Sequence, residues 1–436
     1  MKILIKNGRV INPATGFDEI CDLAVAASKV VAIKNIASDF VPNKTIDATG
    51  CIVTPGLIDL AARLREPGYE HAGMLQSELA AAVAGGVTSL VCMPDTDPVL
   101  DEPGLVEMLK FRAEKLHQSH VFPLGALTVN LKGEVLTEMV GLAEAGCVGF
   151  SQAEIPLANT QVLQRALQYA STFGYTVWLR PQDMHLGKGV AASGALATRM
   201  GLSGVPVAAE TIALHTIFEL MKSTNAKVHI CRISSAAGVA LVRQAKADGL
   251  QVSCDVSINS LHLTDVDLGY YDSRARLNPP LRQQRDRDAL RAALADGTID
   301  ALVSDHTPVS EDAKTLPFAE AEAGATGLEL LLSLALKWQS DASDKSLTLA
   351  KALATVTSQP ATVLAANLPA NSPTYASLGQ LVEGGTADIC IFDPKAMWVV
   401  ADDTLRSQGK HTPFSGYELP GQVRATLVSG HVAYER

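Results

Sequence analysis

The chain has 436 residues, 47% of them hydrophobic and 19% charged, which is enough apolar mass for a large core and the length of one big barrel with a small accessory domain. A formal net charge of −10 and a pI near 5.5 leave no basic face of the kind a phosphate backbone requires, so nucleic acid is excluded as a partner. Seven cysteines, an odd number without a C-x-x-C pair, read as reduced thiols packed as small apolar groups, as expected of a cytoplasmic protein.

The opening, Met1 to Asn12, alternates apolar and polar residues like an edge strand and lacks the unbroken apolar run of a secretory leader. Further short strands are expected at Leu23 to Ala26, Val30 to Ile33 and Cys51 to Val53, after those at Ile3 to Ile5 and Val10 to Ile11. Residues 1–54 thus predict one part of a small β domain. From 55 to 378, β-branched runs alternate with longer helical patterns. The runs are Ser89 to Cys92, Val121 to Leu124, Val148 to Phe150, Thr176 to Leu179, Lys227 to Ile230, Gln251 to Val256 and Ala301 to Val303. Such repetition implies a parallel sheet, and seven or eight units without a G-x-G-x-x-G after any strand predict a closed (β/α)8 TIM barrel of the α/β class. Chemistry then belongs at the C-terminal ends of the strands. Residues 379–436 return to short strands, Ala387 to Phe392 and Ala425 to Val428, between glycine and proline turns. The two chain ends are therefore expected to form one β-sandwich. No apolar stretch reaches the roughly 18 to 20 residues that span a bilayer, so no membrane segment is expected.

Within this pattern, Pro55-Gly56-Leu57-Ile58-Asp59 is followed by Leu64-Arg65-Glu66-Pro67-Gly68. Later come Gly85-Gly86-Val87-Thr88, Cys92-Met93-Pro94, Asn278-Pro279-Pro280-Leu281-Arg282, Ser304-Asp305-His306, Gly327-Leu328-Glu329 and Gly384-Gly385-Thr386-Ala387-Asp388. Together these resemble class I dihydroorotases, of the amidohydrolase superfamily, over nearly the whole chain. The resemblance implies a distorted barrel with a β domain built from both ends. It also implies a pair of zinc ions that activate water and polarise a ring carbonyl, with a strand-eight aspartate moving the proton.

The ligand positions of that family depart from its pattern here. The His-x-His pair of strand one becomes Ala61 and Arg63, the bridging aspartate becomes Gln152, and the next two metal-binding histidines become Arg180 and Arg232. Alanine has no donor atom, a guanidinium has no lone pair to offer, and an amide oxygen is a weak neutral bridge. Asp305 remains as a vestige, and one carboxylate cannot hold two zinc ions. No zinc or other cofactor is expected. Of the family's substrate contacts, Arg65 and Asn278 are kept and His306 survives. Asp95 would repel an anion, Asn259-Ser260 stand where two histidines would be, and Val309 replaces a third.

The arginines at the strand ends allow two readings. In one they serve as counterions for Asp305, Asp59 and Asp183, filling the old metal position with salt bridges; in the other they form, with Arg65, an anion-binding pocket for a sensor. A rebuilt single-metal site has candidates in His229, Cys231, Asp255 and His262, but alternation from position 232 sends His229 and Cys231 toward the helices, where they pack. The loop Ser310 to Phe318 is expected to be solvated surface, with an ordered or missing flap as the alternative, and Ser407 to Gly416, with His411, a structural turn. The resemblance extends to metal-free homologues that assemble with aspartate carbamoyltransferase catalytic chains. That makes a non-catalytic subunit, dimeric within a larger complex, the leading expectation, with a weak dihydroorotase or cyclic amidase as the alternative.

Overall fold

The computed structural model describes residues 1–343, 346–366 and 376–436. The N-terminal strands are β1 (Ile3–Asn12), β2 (Phe17–Ala26), β3 (Lys29–Ile33), β4 (Lys44–Asp47) and β5 (Ile52–Pro55). β1 is one ten-residue strand where alternation predicts two short ones. A register shift between Ile5 and Gly8, with Asn7 at φ 60°, breaks the alternation and explains the difference.

The barrel follows at once. Its strands are β6 (Leu57–Ala62), β7 (Val87–Cys92), β8 (His120–Pro123) continued by β9 (Gly125–Ala126), β10 (Phe150–Ser151) and β11 (Thr176–Leu179). After a small parallel ribbon of β12 (Ala191–Ala192) and β13 (Gly204–Val205), it resumes with β14 (Lys227–Ile230), β15 (Val252–Ser257) and β16 (Ala301–Val303). The strands pair in parallel in two arcs, β6-β7-β8 and β9-β10-β11-β14-β15-β16. A parallel bridge between Ala62 and His306, with Arg63 N–H donating to the His306 carbonyl at 2.8 Å, joins the first strand to the segment after the last.

Alternation places Val177, Leu179, Val228, Ile230, Val252, Cys254 and Val256 in the apolar layer under the helices. Trp178 belongs instead to a cluster with Val91, Phe122, Leu124, Val148, Cys231 and Val303 that fills the barrel. The helix Thr160–Phe173 shows why the outer elements form. The Asn159 side chain accepts from the amides of Gln161 and Val162, one face buries Val162, Leu163, Ala166, Leu167 and Ala170, and Gly174 at φ 75° ends it.

The C-terminal strands β17 (Ile389–Val399), β18 (Glu418–Val428) and β19 (His431–Glu435) join the N-terminal ones in a single sheet of order β19-β18-β17-β5-β1-β2-β3, with β4 on β1. Ile3, Ile5, Leu23, Val25 and Val53 from one end meet Ile389, Ile391, Ala425 and Leu427 from the other in a separate core, forming the sandwich. No helix among the described residues is long and apolar enough to cross a membrane.

Candidate functional site: an arginine–carboxylate cluster at the strand ends

Three side chains from different strand ends converge on one carboxylate. Arg63 follows β6, Arg180 follows β11 and Arg232 lies just past β14; they are 5%, 7% and 4% exposed, and all three reach Glu154. Arg63 Nη2 donates to Glu154 Oε1 at 2.7 Å, Arg180 Nη1 donates to Oε2 at 2.6 Å, and Arg232 Nη2 donates to Oε1. Asn278 Nδ2 adds a bond to Glu154 Oε2 at 2.9 Å, while its Oδ1 accepts from Arg180 Nη2 at 2.6 Å. Two more acids complete the set: Asp95 accepts from Arg63 Nε at 2.7 Å and Asp305 from Arg232 Nη1 at 2.9 Å. Burial alone would raise the Glu154 carboxyl, but Arg232, Arg180 and Arg63 hold it far below the usual carboxylate range. Burial outweighs Arg232 at Asp305, whose carboxyl is raised.

Arg65 stands at the rim, with Nε donating to the Pro308 carbonyl at 2.8 Å and Nη2 to Glu322 at 3.1 Å. Around it opens a cleft of about 170 Å³, lined by the cluster and by Leu277, Thr307 and the segment Glu322 to Ala325. Four guanidiniums thus face four carboxylates, leaving no surplus positive charge for an anionic ligand. Arg65, Arg232 and Asp305 adopt left-handed φ of 63°, 55° and 53°, a strained backbone for side-chain-bearing residues that is concentrated at functional clefts.

The residues singled out in the sequence divide into two groups. Arg63, Arg65, Arg180, Arg232, Asn278 and Asp305 come together. Ala61 is buried against the barrel's apolar filling. Gln152 turns away, accepting from Thr128 Oγ1 at 2.9 Å and donating to the Leu131 carbonyl at 2.6 Å. His306 is fully buried outside the cleft, with Nε2 2.8 Å from Glu78 and Nδ1 accepting from the Gly327 amide at 3.2 Å. Asp59 and Asp183 are not arginine partners. Asp59 accepts from Ser304, and its burial pushes the carboxyl up to about 7. Asp183 caps the amides of His185 and Leu186.

Glu154, the centre of the cluster, does not stand out in the sequence. Ala153 has a φ of 50°, so the chain turns between Gln152 and Glu154 and strand alternation does not report which of them enters the cleft. The available signal was electrostatic: three buried arginines require anions, and Glu154 lies just past β10.

Two further expectations are corrected. His229 and Cys231 face the barrel interior, because Arg232 at φ 55° interrupts the alternation that was counted back from it. His229 is the register partner of Ser253, and its ring lies 4.2 Å from the Trp178 ring. The second is corrected in part: the stretch Ser310 to Phe318 does expose Glu311, Asp312 and Leu316, but it is ordered as a helix, Glu311–Thr315, and buries Lys314 and Phe318.

A zinc pair of the kind the resemblance implies does not fit the cleft. Arg63, Arg180 and Arg232 offer no lone pairs, and Glu154, Asp95 and Asp305 each already face a guanidinium. A divalent ion there would have to displace those guanidiniums from their carboxylates.

Residues 50–237 match the sequence profile described as dihydro-orotase-like. Over full length the chain is 42% identical to a dihydroorotase-like protein of Pseudomonas aeruginosa, covering 100% of both chains. It is 43% identical to a dihydroorotase-like protein of Pseudomonas putida, covering 100% of this chain and 99% of the other. It is also 39% identical to a protein named dihydroorotase from Geobacter metallireducens, again covering 100% of both. Among solved structures, L-hydantoinase (dihydropyrimidinase) from Arthrobacter aurescens superposes with a TM-score of 0.86 at 24% identity, covering 99% of this chain and 96% of that one, which is likeness of fold. By its full-length relatives and its barrel, this chain belongs to the dihydroorotase-like family of amidohydrolases.

Proposed function

We propose that this chain is a non-catalytic, dihydroorotase-like subunit of pyrimidine biosynthesis that assembles with aspartate carbamoyltransferase catalytic chains in the cytoplasm and stabilises them, itself as a homodimer. The observation that carries the reading is the filling of the strand ends. Where zinc-activated water would be generated, three guanidiniums close on Glu154. Without a metal, bound water keeps a pKa of about 15.7 rather than about 7, so no nucleophile forms at neutral pH. On this reading the cleft holds no zinc pair, and selection acts on the outer surface of a complete barrel.

The test combines two measurements on one preparation. Protein grown with added zinc is assayed for carbamoyl aspartate cyclisation, and it is co-expressed with the aspartate carbamoyltransferase of its own organism. No turnover together with a stable co-eluting complex is expected. Cyclisation at an enzyme-like rate, or carbamoyltransferase that assembles equally well without this chain, overturns it.

A second reading has one observation in its favour: relatives 39% identical over full length carry the name dihydroorotase. A weak cyclic amidase would use Asp305 to move a proton and Arg65 to hold a carboxylate. Arg65 would first have to leave Glu322 and the Pro308 carbonyl. An anion sensor meets the same obstacle at every arginine of the cleft.

A further inference from the structure

Beneath the arginine cluster, the barrel interior holds a second set of polar side chains that the cleft does not use. His229, Cys231 and Asp255 are all buried, and one ligand atom of each lies within 4.8 Å of the others. They come from β14, the residue after it, and the neighbouring strand β15, which pair in parallel. We propose that these three residues form a metal site for a single zinc-like divalent ion, one layer deeper than the strand ends.

Three features support it. The donor set is one imidazole nitrogen, one thiol sulfur and one carboxylate oxygen, which suits zinc and similar borderline ions. The outer shell is also in place. Ser253 Oγ lies 2.8 Å from His229 Nδ1, turning Nε2 toward Asp255 Oδ2 at 2.9 Å, and the Arg232 amide donates to Asp255 Oδ1 at 2.7 Å. Metal-binding imidazoles and carboxylates are held in this way by partners behind them. Finally, charge balances: a thiolate and a carboxylate neutralise a divalent ion, so the loaded site carries no net charge into the apolar interior. Binding releases the Cys231 thiol proton and moves the imidazole N–H to Nδ1, where Ser253 Oγ accepts it. Trp178 packs against the His229 ring, and Cys231 belongs with it to the apolar filling of the barrel, so the ion's role is to brace the barrel.

The experiment reads metal content and sulfur ligation on the intact protein, independently of any turnover. Cells are grown with added zinc or cobalt, so that the ion is present as the barrel closes. The desalted protein is expected to hold about one ion per chain, with one sulfur at about 2.3 Å in the zinc X-ray absorption spectrum. The cobalt form is expected to show a thiolate-to-metal charge-transfer band that Cys231→Ser abolishes and Cys21→Ser retains. Less than about a tenth of an ion per chain in both preparations, or bound zinc without a sulfur neighbour, overturns the proposal. So does a folded Cys231→Ser protein that keeps full zinc. Should that variant fail to fold, the sulfur count of the unaltered protein decides.

Discussion

At the scale of single residues, Glu154 is the side chain on which the cleft depends. It is the one acid shared by three guanidiniums, and removing one partner of a buried ion pair typically costs about 3 to 5 kcal/mol because the other charge stays behind. Glu154 itself is 29% exposed, so solvent screens part of that cost, and Glu154→Gln is expected to lower urea-unfolding stability by about 1 to 3 kcal/mol; a loss below about 0.5 kcal/mol would mean that the arginines do not rely on it. The pH dependence follows from the direction of its shift. A carboxyl lowered on folding adds stability above its unfolded pKa, near the ordinary 4.5, and loses it only as pH falls through the lower folded value. Unaltered protein should thus gain stability on going from strongly acid to pH 5, and Glu154→Gln should show less of that gain in the same titration. The arginines and Asp305 were legible in the sequence because each chemistry is written in one residue type. Glu154 and His306 were not: the first depends on a left-handed Ala153 and the second on Glu78, which is 228 positions away in the chain.

At the scale of elements, the helix Glu311–Thr315 is fastened by its own lysine. Lys314 Nζ donates to the carbonyls of Ser273 at 2.9 Å and Arg276 at 3.0 Å, and Ser273 Oγ donates back to the Lys314 carbonyl. Burial, and next the Arg276 charge, pull the ammonium down to about 7, against Glu322 and Asp272, which raise it. Between that value and the ordinary 10.5 the released chain binds a proton that the docked one does not, so docking strengthens as pH rises through this window and the penalty is fully present below it. Hydrogen exchange of residues 311–316, corrected for intrinsic rates, should therefore slow relative to the core from pH 7 to 9, and Lys314→Met should remove that trend. A polar, charged run such as Ser310 to Phe318 reads as surface because composition does not show where a long aliphatic stem goes. A second fastening joins helix Leu75–Ala84 to the C-terminal segment: Glu78 accepts from Ser407 Oγ at 2.6 Å and from the Gln408 amide at 3.0 Å, besides facing His306. Glu78→Ala strands these donors in the interior and is expected to cost about 3 kcal/mol or more, measured by chemical unfolding.

At the scale of the whole molecule, the sandwich binds the two chain ends to each other and to the barrel. β5 pairs with both β1 and β17, Thr426 Oγ1 donates to the Val83 carbonyl at 2.7 Å, and Ser333 Oγ donates to the Gly421 carbonyl at 3.0 Å. A chain ended at residue 378 would lose β17 to β19 and bare the apolar faces of Ile3, Leu23 and Val53. It should be insoluble or molten, seen as lost near-ultraviolet dichroism. This architecture was readable because hydrophobic periods of two and of helical length repeat along the chain. Strain at the strand ends was not, since it appears only once the barrel is closed. The cleft is neutral only as a set, with each arginine answering an acid contributed by another loop. Exchanging Arg63 or Arg232 for an imidazole takes from Asp95 or Asp305 its one guanidinium among the described ion pairs, whereas Glu154 keeps two of its three after any single exchange. The four arginines and four acids are therefore coupled through the closed barrel, so a change at one strand end is felt as uncompensated charge at another.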